Sequence, residues 1–286
     1  MQHCFATILD REIHFTQWGS AVENKPSVVC WHGLARTCRD FDILAEALHT
    51  SLGLHVICPD TIGRGFSEWS PKPEEEYTIP HLALMAKGLL DSLNIKNVYW
   101  FGTSMGGMIG YIGGATVLRP YMRRLILNDI GPTICPDAIA RIIATFEKPL
   151  LVDTMMEMEA KYTPYYKNNF GIQDDAYIRF LVQAGSRRTP EGKWTSHFDP
   201  KIVDMLRTKF NTGTDDMDDP WTLYDSLSCP VLTIRGANSD LLSEASLQKM
   251  AASGPKCKTV VFQNVGHAPA MNTPEQIDVV MKFFSQ

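Results

Sequence analysis

Residues 98–107 read VYWFGTSMGG, a short apolar run followed by a glycine-rich segment with one serine. The apolar run is typical of a buried strand, and the G-x-S-x-G pattern after it is typical of a tight turn from a strand into a helix. Glycines two residues before and after Ser104 let the backbone and the helix approach closely, which exposes the serine hydroxyl. Ser104 is therefore the first candidate for a nucleophile.

Ser104 needs partners, because an alcohol is a weak nucleophile near neutral pH without a base, an acid that orients the base and donors for an oxyanion. His267 lies in the loop NVGHAP after a predicted strand at residues 259–262, and it is the expected base. Asp240 lies just past a predicted strand at residues 230–234 and is the expected acid. The order serine, acid, histidine along the chain differs from the orders of chymotrypsin and subtilisin and matches a third triad fold.

A fourth element lies near the start of the chain, where VVCW at residues 28–31 predicts a strand and HGLAR at residues 32–36 begins the next loop. With this segment the chain resembles the serine-nucleophile branch of the α/β-hydrolase fold superfamily over nearly its whole length. The resemblance implies a mostly parallel sheet covered by helices. It also implies that the backbone N–H groups of Leu34 and Met105 donate to the oxyanion. The segments at residues 58–67 and 127–132 also match the family and are interpreted as scaffold.

Two features near these motifs have competing interpretations, the identity of the acid and the role of His32. Asp129 is the alternative acid, because a carboxylate at the end of the sixth strand reaches the histidine in some α/β-hydrolase relatives. Asp240 is preferred, since the strand before it is expected to end closer to the histidine loop. His32 is expected to hold the HG loop by hydrogen bonding, with a substrate contact as the alternative. Asp60 is assigned to loop structure.

The order of predicted elements divides the chain into a core and an insertion. A hairpin at residues 5–18 precedes an alternation of strands and helices, which is typical of a parallel sheet with covering helices. The alternation stops at about residue 133, where the sequence becomes helix-prone and rich in Met and Tyr. We therefore expect a first core part at residues 1–132, a helical cap at 133–220 inserted after the sixth strand, and a second core part at 221–286.

The cap would cover the carboxyl ends of the strands and select what enters the site. Its Met and aromatic residues are candidates for an acyl or alcohol pocket, although ordinary helix packing is the more common role of such residues. These candidates are Met155, Met156, Met158, Tyr162, Tyr165, Tyr166, Phe170 and Trp194.

Composition excludes several other classes of protein. The net charge of -5 comes with no basic stripe, which argues against nucleic-acid binding, and the acidic cluster at residues 215–219 is interpreted as a solvated turn. Seven cysteines without paired spacing argue against a zinc site and against a disulfide framework, and they favour reduced thiols in the cytoplasm. No 18-residue apolar span occurs. We expect a soluble, unprocessed, cytoplasmic protein that uses no metal or cofactor.

These motifs together favour a serine hydrolase that cleaves a small carboxylic ester through an acyl-enzyme intermediate. A serine at the elbow excludes the aspartate-dependent haloalkane dehalogenases and epoxide hydrolases. A hydrolase of carbon–carbon bonds in ring-cleavage products remains an alternative, since its GNSMGG elbow differs from this one at a single position. An enol-lactonase is a further alternative, and a ligand sensor with an intact triad is an alternative from another class. The expected partner is a small ester or related acyl compound, and the oligomeric state is open.

Overall fold

The computed structural model describes residues 1–212 and 219–286. Its strands form one large sheet and one short hairpin: β1 (Gln2–Ile8), β2 (Arg11–Trp18), β3 (Ser27–Trp31), β4 (His55–Pro59), β5 (Val98–Thr103), β6 (Met122–Asn128), β7 (Ser186–Arg188), β8 (Trp194–Ser196), β9 (Val231–Gly236) and β10 (Lys258–Phe262). Its helices are α1 (Asp42–Leu52), α2 (Pro73–Glu76), α3 (Ile79–Ser92), α4 (Met105–Ala115), α5 (Pro136–Phe146), α6 (Met155–Phe170), α7 (Asp175–Ala184), α8 (Lys201–Thr212), α9 (Pro220–Asp225), α10 (Glu244–Ala252) and α11 (Pro274–Phe284).

The large sheet has eight strands in the order β1-β2-β4-β3-β5-β6-β9-β10. The predicted hairpin is present as β1 and β2, and β2 also pairs antiparallel with β4. The remaining pairs in this sheet are parallel. The loops after β3, β5, β6, β9 and β10 therefore meet at one edge, where open α/β sheets bind their ligands. The predicted mostly parallel sheet with covering helices is confirmed.

The strand β3 illustrates how helices cover both faces of the sheet. All five of its residues are buried, as expected for a parallel strand between two helical layers. Val28 and Cys30 belong to the apolar core shared with α1 and α11, whereas Val29 and Trp31 belong to the core shared with α3 and α4. Because successive side chains of a strand point to opposite faces, one apolar run contributes to both cores.

Between β6 and β9 the chain leaves the sheet. This stretch contains α5 to α9 and the β7–β8 hairpin, and its described residues add no strand to the large sheet. Met158, Tyr166, Ile178 and Leu181 from α6 and α7 form part of a separate apolar cluster. The helices agree with the predicted cap, whereas the hairpin was not predicted. The limits 133–220 stay a prediction, and α9 already packs against α4 of the core.

Two further expectations concern surface properties. Most of the predicted acidic turn at residues 215–219 lies outside the described residues. Only Asp219 is described, and its side chain accepts the backbone N–H of Thr222 at the start of α9. In the part of the chain that the structure covers, no helix has both the length and the apolar character needed to cross a bilayer.

Candidate active site

Ser104 lies at the turn between β5 and α4, where the elbow was predicted. Its backbone has φ of 51° and ψ of -117°, a conformation that is strained for any residue with a side chain. A Cβ on Gly102 would lie 2.3 Å from the carbonyl oxygen of Gly106, and a Cβ on Gly106 would lie 2.1 Å from that of Trp31. The turn therefore requires both glycines, and it holds Ser104 at the carboxyl edge of the sheet.

His267 lies on the loop after β10 and reaches Ser104. Its Nε2 is 3.0 Å from Oγ of Ser104, and its Nδ1 is 2.6 Å from Oδ2 of Asp129. A proton on Nδ1 that is donated to this carboxylate leaves Nε2 able to accept the hydroxyl proton of Ser104. The structure thus brings together the predicted nucleophile and the predicted base in the geometry that proton transfer requires.

The carboxylate that contacts His267 belongs to Asp129, so the contact predicted for Asp240 is wrong. Asp129 directly follows β6 and is fully buried. Its Oδ2 also accepts the hydroxyl proton of Ser239 at 2.6 Å, and its Oδ1 accepts the backbone N–H of Gly236 at 3.1 Å. Two donors, the Ser239 hydroxyl and the Gly236 N–H, therefore hold this carboxylate against the imidazole.

Asp240 instead forms a two-point ion pair with Arg141 of α5, with Nε–Oδ2 at 2.6 Å and Nη2–Oδ1 at 2.8 Å. Burial raises the pKa of the Asp240 carboxyl, but Arg141 outweighs this effect and the pKa is lowered. The neighbouring Ser239 points inward because its hydroxyl binds Asp129 and also accepts the backbone N–H of Leu241 at 3.2 Å. The turn after β9 therefore directs Ser239 to the site and Asp240 to the surface.

Strand order explains why Asp129 is the better placed carboxylate. The strand β6 lies between β5, which leads to Ser104, and β9. Asp129 is the first residue past β6, whereas Asp240 is four residues past the end of β9 at Gly236. The hydrogen bond from Ser239 to Asp129 was not predicted from the sequence. The only sequence signal for it is the position of Ser239 in the turn after β9.

The loop after β3 brings Leu34 next to Ser104. A Cβ placed on Gly33 would lie 3.6 Å from Cβ of Ser104, so the main chain of this loop passes within van der Waals distance of the elbow. Leu34, Met105 and Ser104 line the same cavity. Met105 is the first residue of α4, where backbone N–H groups have no acceptor within the helix. The arrangement is compatible with both predicted oxyanion donors, whose role stays a prediction.

His32 is fully buried and braces this loop. Its Nδ1 donates to the carbonyl of Gly33 at 2.7 Å, and its Nε2 accepts the backbone N–H of Thr61 at 3.0 Å. Burial lowers the pKa of His32 to about 4, so the imidazole is neutral near pH 7. The predicted hydrogen-bonding role is confirmed, and both ring nitrogens are already used within the protein.

A cavity of about 540 Å³ adjoins Ser104, between the sheet edge and the helices α5 and α8. Most of its lining is apolar and includes Ile79, Met108, Ile130, Ile134, Ile139, Ile142, Ile202, Met205, Leu206 and Phe210. The described lining residues include two basic side chains, Arg64 and Lys209, and no carboxylate. None of the eight Met and aromatic candidates from the sequence lines this cavity, and seven of them join the separate cluster around α6 and α7.

A buried group of possible metal ligands lies away from Ser104, where atoms of His14, Cys38 and Asp60 fall within 4.8 Å of one another. Their donor atoms already have partners in the protein. Oδ1 of Asp60 accepts the backbone N–H of Cys38 at 2.7 Å, and Oδ2 faces Nδ1 of His14 at 2.7 Å and accepts the backbone N–H of Phe66 at 3.1 Å. These bonds tie the loop after β4 to its neighbours, which agrees with the structural assignment of Asp60.

Comparison with known proteins identifies relatives of the whole fold. A family model described as the alpha/beta hydrolase family matches residues 28–278. The chain is 36% identical over 279 residues to the 3-hydroxybutyrate-oligomer hydrolase of Cupriavidus necator, covering 95% of this chain and 92% of that protein. It is 23% identical over 271 residues to the sn-1-specific diacylglycerol lipase ABHD11 of Mus musculus, covering 91% and 81%. A crystal structure of an alpha/beta hydrolase from Novosphingobium aromaticivorans has a TM-score of 0.85 at 26% identity and covers 99% of this chain and 98% of its own.

Proposed function

Because the chain belongs to the alpha/beta hydrolase family, we propose that it hydrolyses small carboxylic esters through an acyl-enzyme on Ser104. The observation that carries the proposal is the hydrogen-bonded series from Asp129 through His267 to Ser104, with distances of 2.6 Å and 3.0 Å. This series supplies a nucleophile, a base and an orienting acid in mutual contact.

Each step of the reaction uses a group of this chain. His267 Nε2 removes the proton of the Ser104 hydroxyl while Oγ attacks the ester carbonyl, and the negative charge on the carbonyl oxygen is held by the N–H groups of Leu34 and Met105. Collapse of this intermediate breaks the bond to the alcohol, which leaves with the proton from His267. Water then attacks the acyl-enzyme by the same route and releases the acid and free Ser104. Asp129 orients His267 and stabilises its charged form in both halves.

The cavity supports a preference for esters that carry a negative charge. Apolar walls suit a short acyl chain, and the ammonium group of Lys209 can pair with an anionic end of the substrate, since the described lining residues include no carboxylate. The relative from Cupriavidus necator is named for 3-hydroxybutyrate oligomers, which are chains of ester bonds that end in a free carboxylate. Oligomers of short hydroxy acids are therefore the substrates that we propose to test first.

The experiment measures initial rates with p-nitrophenyl esters of increasing chain length, with the 3-hydroxybutyrate dimer and trimer, and with their methyl-capped forms. Replacing Ser104 with Ala should lower ester turnover about 10,000-fold or more, because the nucleophile is lost while the binding groups remain. Ser20→Ala is the matched control. Ser20 is an exposed serine that follows β2, and its replacement should keep wild-type rates.

Three outcomes would contradict the proposal. Wild-type rates in Ser104→Ala would show that another group is the nucleophile. Turnover of a ring-cleavage dienoate or a lactone in the absence of ester turnover would favour the carbon–carbon hydrolase or the lactonase. A single turnover without a second would favour a ligand sensor.

A further inference from the structure

Arg64 is a buried arginine in the wall of the candidate active site. It lies in the loop after β4, is 1% exposed and lines the cavity that contains Ser104. We infer, on the basis of the proposed function, that Arg64 is a positioning residue that holds the two oxyanion donors in place and adds positive charge beside the oxyanion. Its segment, residues 58–67, matches the family pattern and was expected from the sequence only to serve as scaffold.

The hydrogen bonds of Arg64 connect the two residues whose N–H groups are the proposed donors. Its Nε donates to the carbonyl of Leu34 at 2.9 Å, and its Nη2 lies 3.4 Å from Sδ of Met105. A third bond from Nη1 to the carbonyl of Ile62 at 2.8 Å anchors the guanidinium to its own loop. One planar group therefore links the loop after β3 to the first residue of α4.

Hydrogen bonds hold the peptide groups on both sides of Leu34, and one of these bonds comes from Arg64. The carbonyl of Gly33 accepts from Nδ1 of His32 at 2.7 Å and from the backbone N–H of Arg36 at 3.3 Å. Because a trans peptide is planar, fixing this carbonyl also fixes the opposite direction of the Leu34 N–H. Arg64 holds the next peptide through the Leu34 carbonyl. Without Arg64, the loop loses one of the three contacts that hold the peptide groups on either side of Leu34.

Within residues 1–212 and 219–286, no ion pair neutralises the charge of Arg64. No carboxylate within 4 Å of its guanidinium is found among the described residues, and its acceptors are two carbonyls and a thioether. Burial lowers the pKa of Arg64 to about 10, so it stays cationic at neutral pH. A buried, unpaired cation is costly in a folded protein, and an oxyanion forming in the same cavity is a charge that it can stabilise.

Local backbone geometry directs Arg64 inward. Gly63 and Gly65 flank it with φ of 80° and 53°, values that residues with side chains adopt rarely. A Cβ on Gly63 would lie 2.5 Å from the hydroxyl of Tyr77, and a Cβ on Gly65 would lie 2.1 Å from the carboxylate of Asp60. Only glycine therefore fits at both neighbours of Arg64, and the guanidinium lies 5.5 Å from the centre of the Tyr77 ring.

The test compares Arg64→Met and Arg64→Lys with the wild type. Arg123→Lys is the control, since Arg123 also donates to backbone carbonyls but lies at the start of β6, the end of the strand away from Asp129. Active sites are counted by labelling with a fluorophosphonate, so that misfolded protein does not enter kcat. The measured quantities are kcat and KM for p-nitrophenyl butyrate and the Kd of butylboronic acid, which forms a tetrahedral, negatively charged adduct with a serine.

We expect Arg64→Met to lower kcat per active site about 10- to 100-fold and to weaken the boronate by a similar factor, with KM changed less than about threefold. Arg64→Lys keeps the charge and loses the planar guanidinium group. Its kcat per active site and its boronate affinity should therefore lie between those of Arg64→Met and those of the wild type. If Arg64→Met does not fold, Arg64→Lys decides the question by the same two quantities.

The inference is overturned if kcat per active site and boronate affinity both stay within twofold of the wild type in the variant that folds. It is also overturned if KM rises while kcat is unchanged, because Arg64 would then bind substrate and leave the oxyanion site unaffected. Boronate affinity is measured by calorimetry without turnover. If the wild type does not hydrolyse esters, the proposed function is contradicted. The boronate affinities of the wild type and the Arg64 variants can still be compared.

Discussion

Replacing Asp129 with Asn keeps the shape of the side chain and changes which of its atoms can accept hydrogen bonds. The backbone N–H of Gly236 cannot rotate, so the amide oxygen of the new side chain must take the Oδ1 position at 3.1 Å. The NH2 group then faces Nδ1 of His267 and the hydroxyl of Ser239 at the Oδ2 position. The hydroxyl can turn to accept, but the imidazole must move its proton to Nε2. That tautomer cannot accept the proton of Ser104.

The expected loss follows from this wrong tautomer. We expect kcat to fall about 1,000- to 10,000-fold, which corresponds to about 4 to 5.5 kcal/mol of transition-state stabilisation. Asp240→Asn removes only an ion pair whose side chains are 47% and 36% exposed. Exposed pairs of this kind contribute at most about 1 kcal/mol to folding, so the variant should fold. Because Asp240 pairs with Arg141 whereas His267 pairs with Asp129, its kcat should stay within about threefold of the wild type.

The assay uses the ester that the wild type cleaves best, with kcat and KM measured from pH 6 to 9. Thermal unfolding of both variants separates loss of catalysis from loss of fold. The Asp129→Asn protein should still bind substrate, because Asp129 is not among the residues that line the cavity, and its KM should change little.

Two results would refute this reasoning. In the first, Asp240→Asn lowers kcat as much as Asp129→Asn does, which would favour Asp240 as the acid, as the sequence predicted. In the second, a folded Asp129→Asn protein keeps more than about one tenth of the wild-type kcat, which would mean that the tautomer of His267 does not depend on this carboxylate.

Two other predictions concern pH and charge. His32 has a pKa of about 4 in the folded protein and an ordinary value of 6.5 when unfolded. The stability that neutral His32 contributes is therefore complete above pH 6.5 and declines as pH falls, by about 2 kcal/mol between pH 7 and pH 5. An NMR titration of the His32 imidazole with a midpoint near 6.5 would contradict the lowered pKa. Lys209→Met should raise KM for the 3-hydroxybutyrate dimer about five- to tenfold and leave KM for the methyl-capped dimer unchanged, because only the free acid can pair with the ammonium group. Lys201→Met, at an exposed lysine of the same helix outside the cavity lining, is the control, and equal effects on the free and capped dimers would argue against a charge contact.

The sequence alone was sufficient for features that depend on short-range chemistry. The elbow at Ser104 could be predicted because Gly102 and Gly106 are the only residue type that the close backbone contacts allow. His267 could be found because its loop follows a clear strand pattern near the end of the chain. The parallel sheet followed from the alternation of strands and helices, since that alternation reflects which segments can be buried on both faces.

The carboxylate that contacts His267 and the contacts of Arg64 depended on tertiary structure. Asp129 and Asp240 both follow strands that end at the same edge, and the sequence does not state which way a turn directs its side chains. In the folded chain the Ser239 hydroxyl bonds Asp129, while Asp240 pairs with Arg141 of α5. Arg64 is one polar residue among many in a glycine-rich loop, and only tertiary structure brings the two distant segments that contain Leu34 and Met105 to its guanidinium.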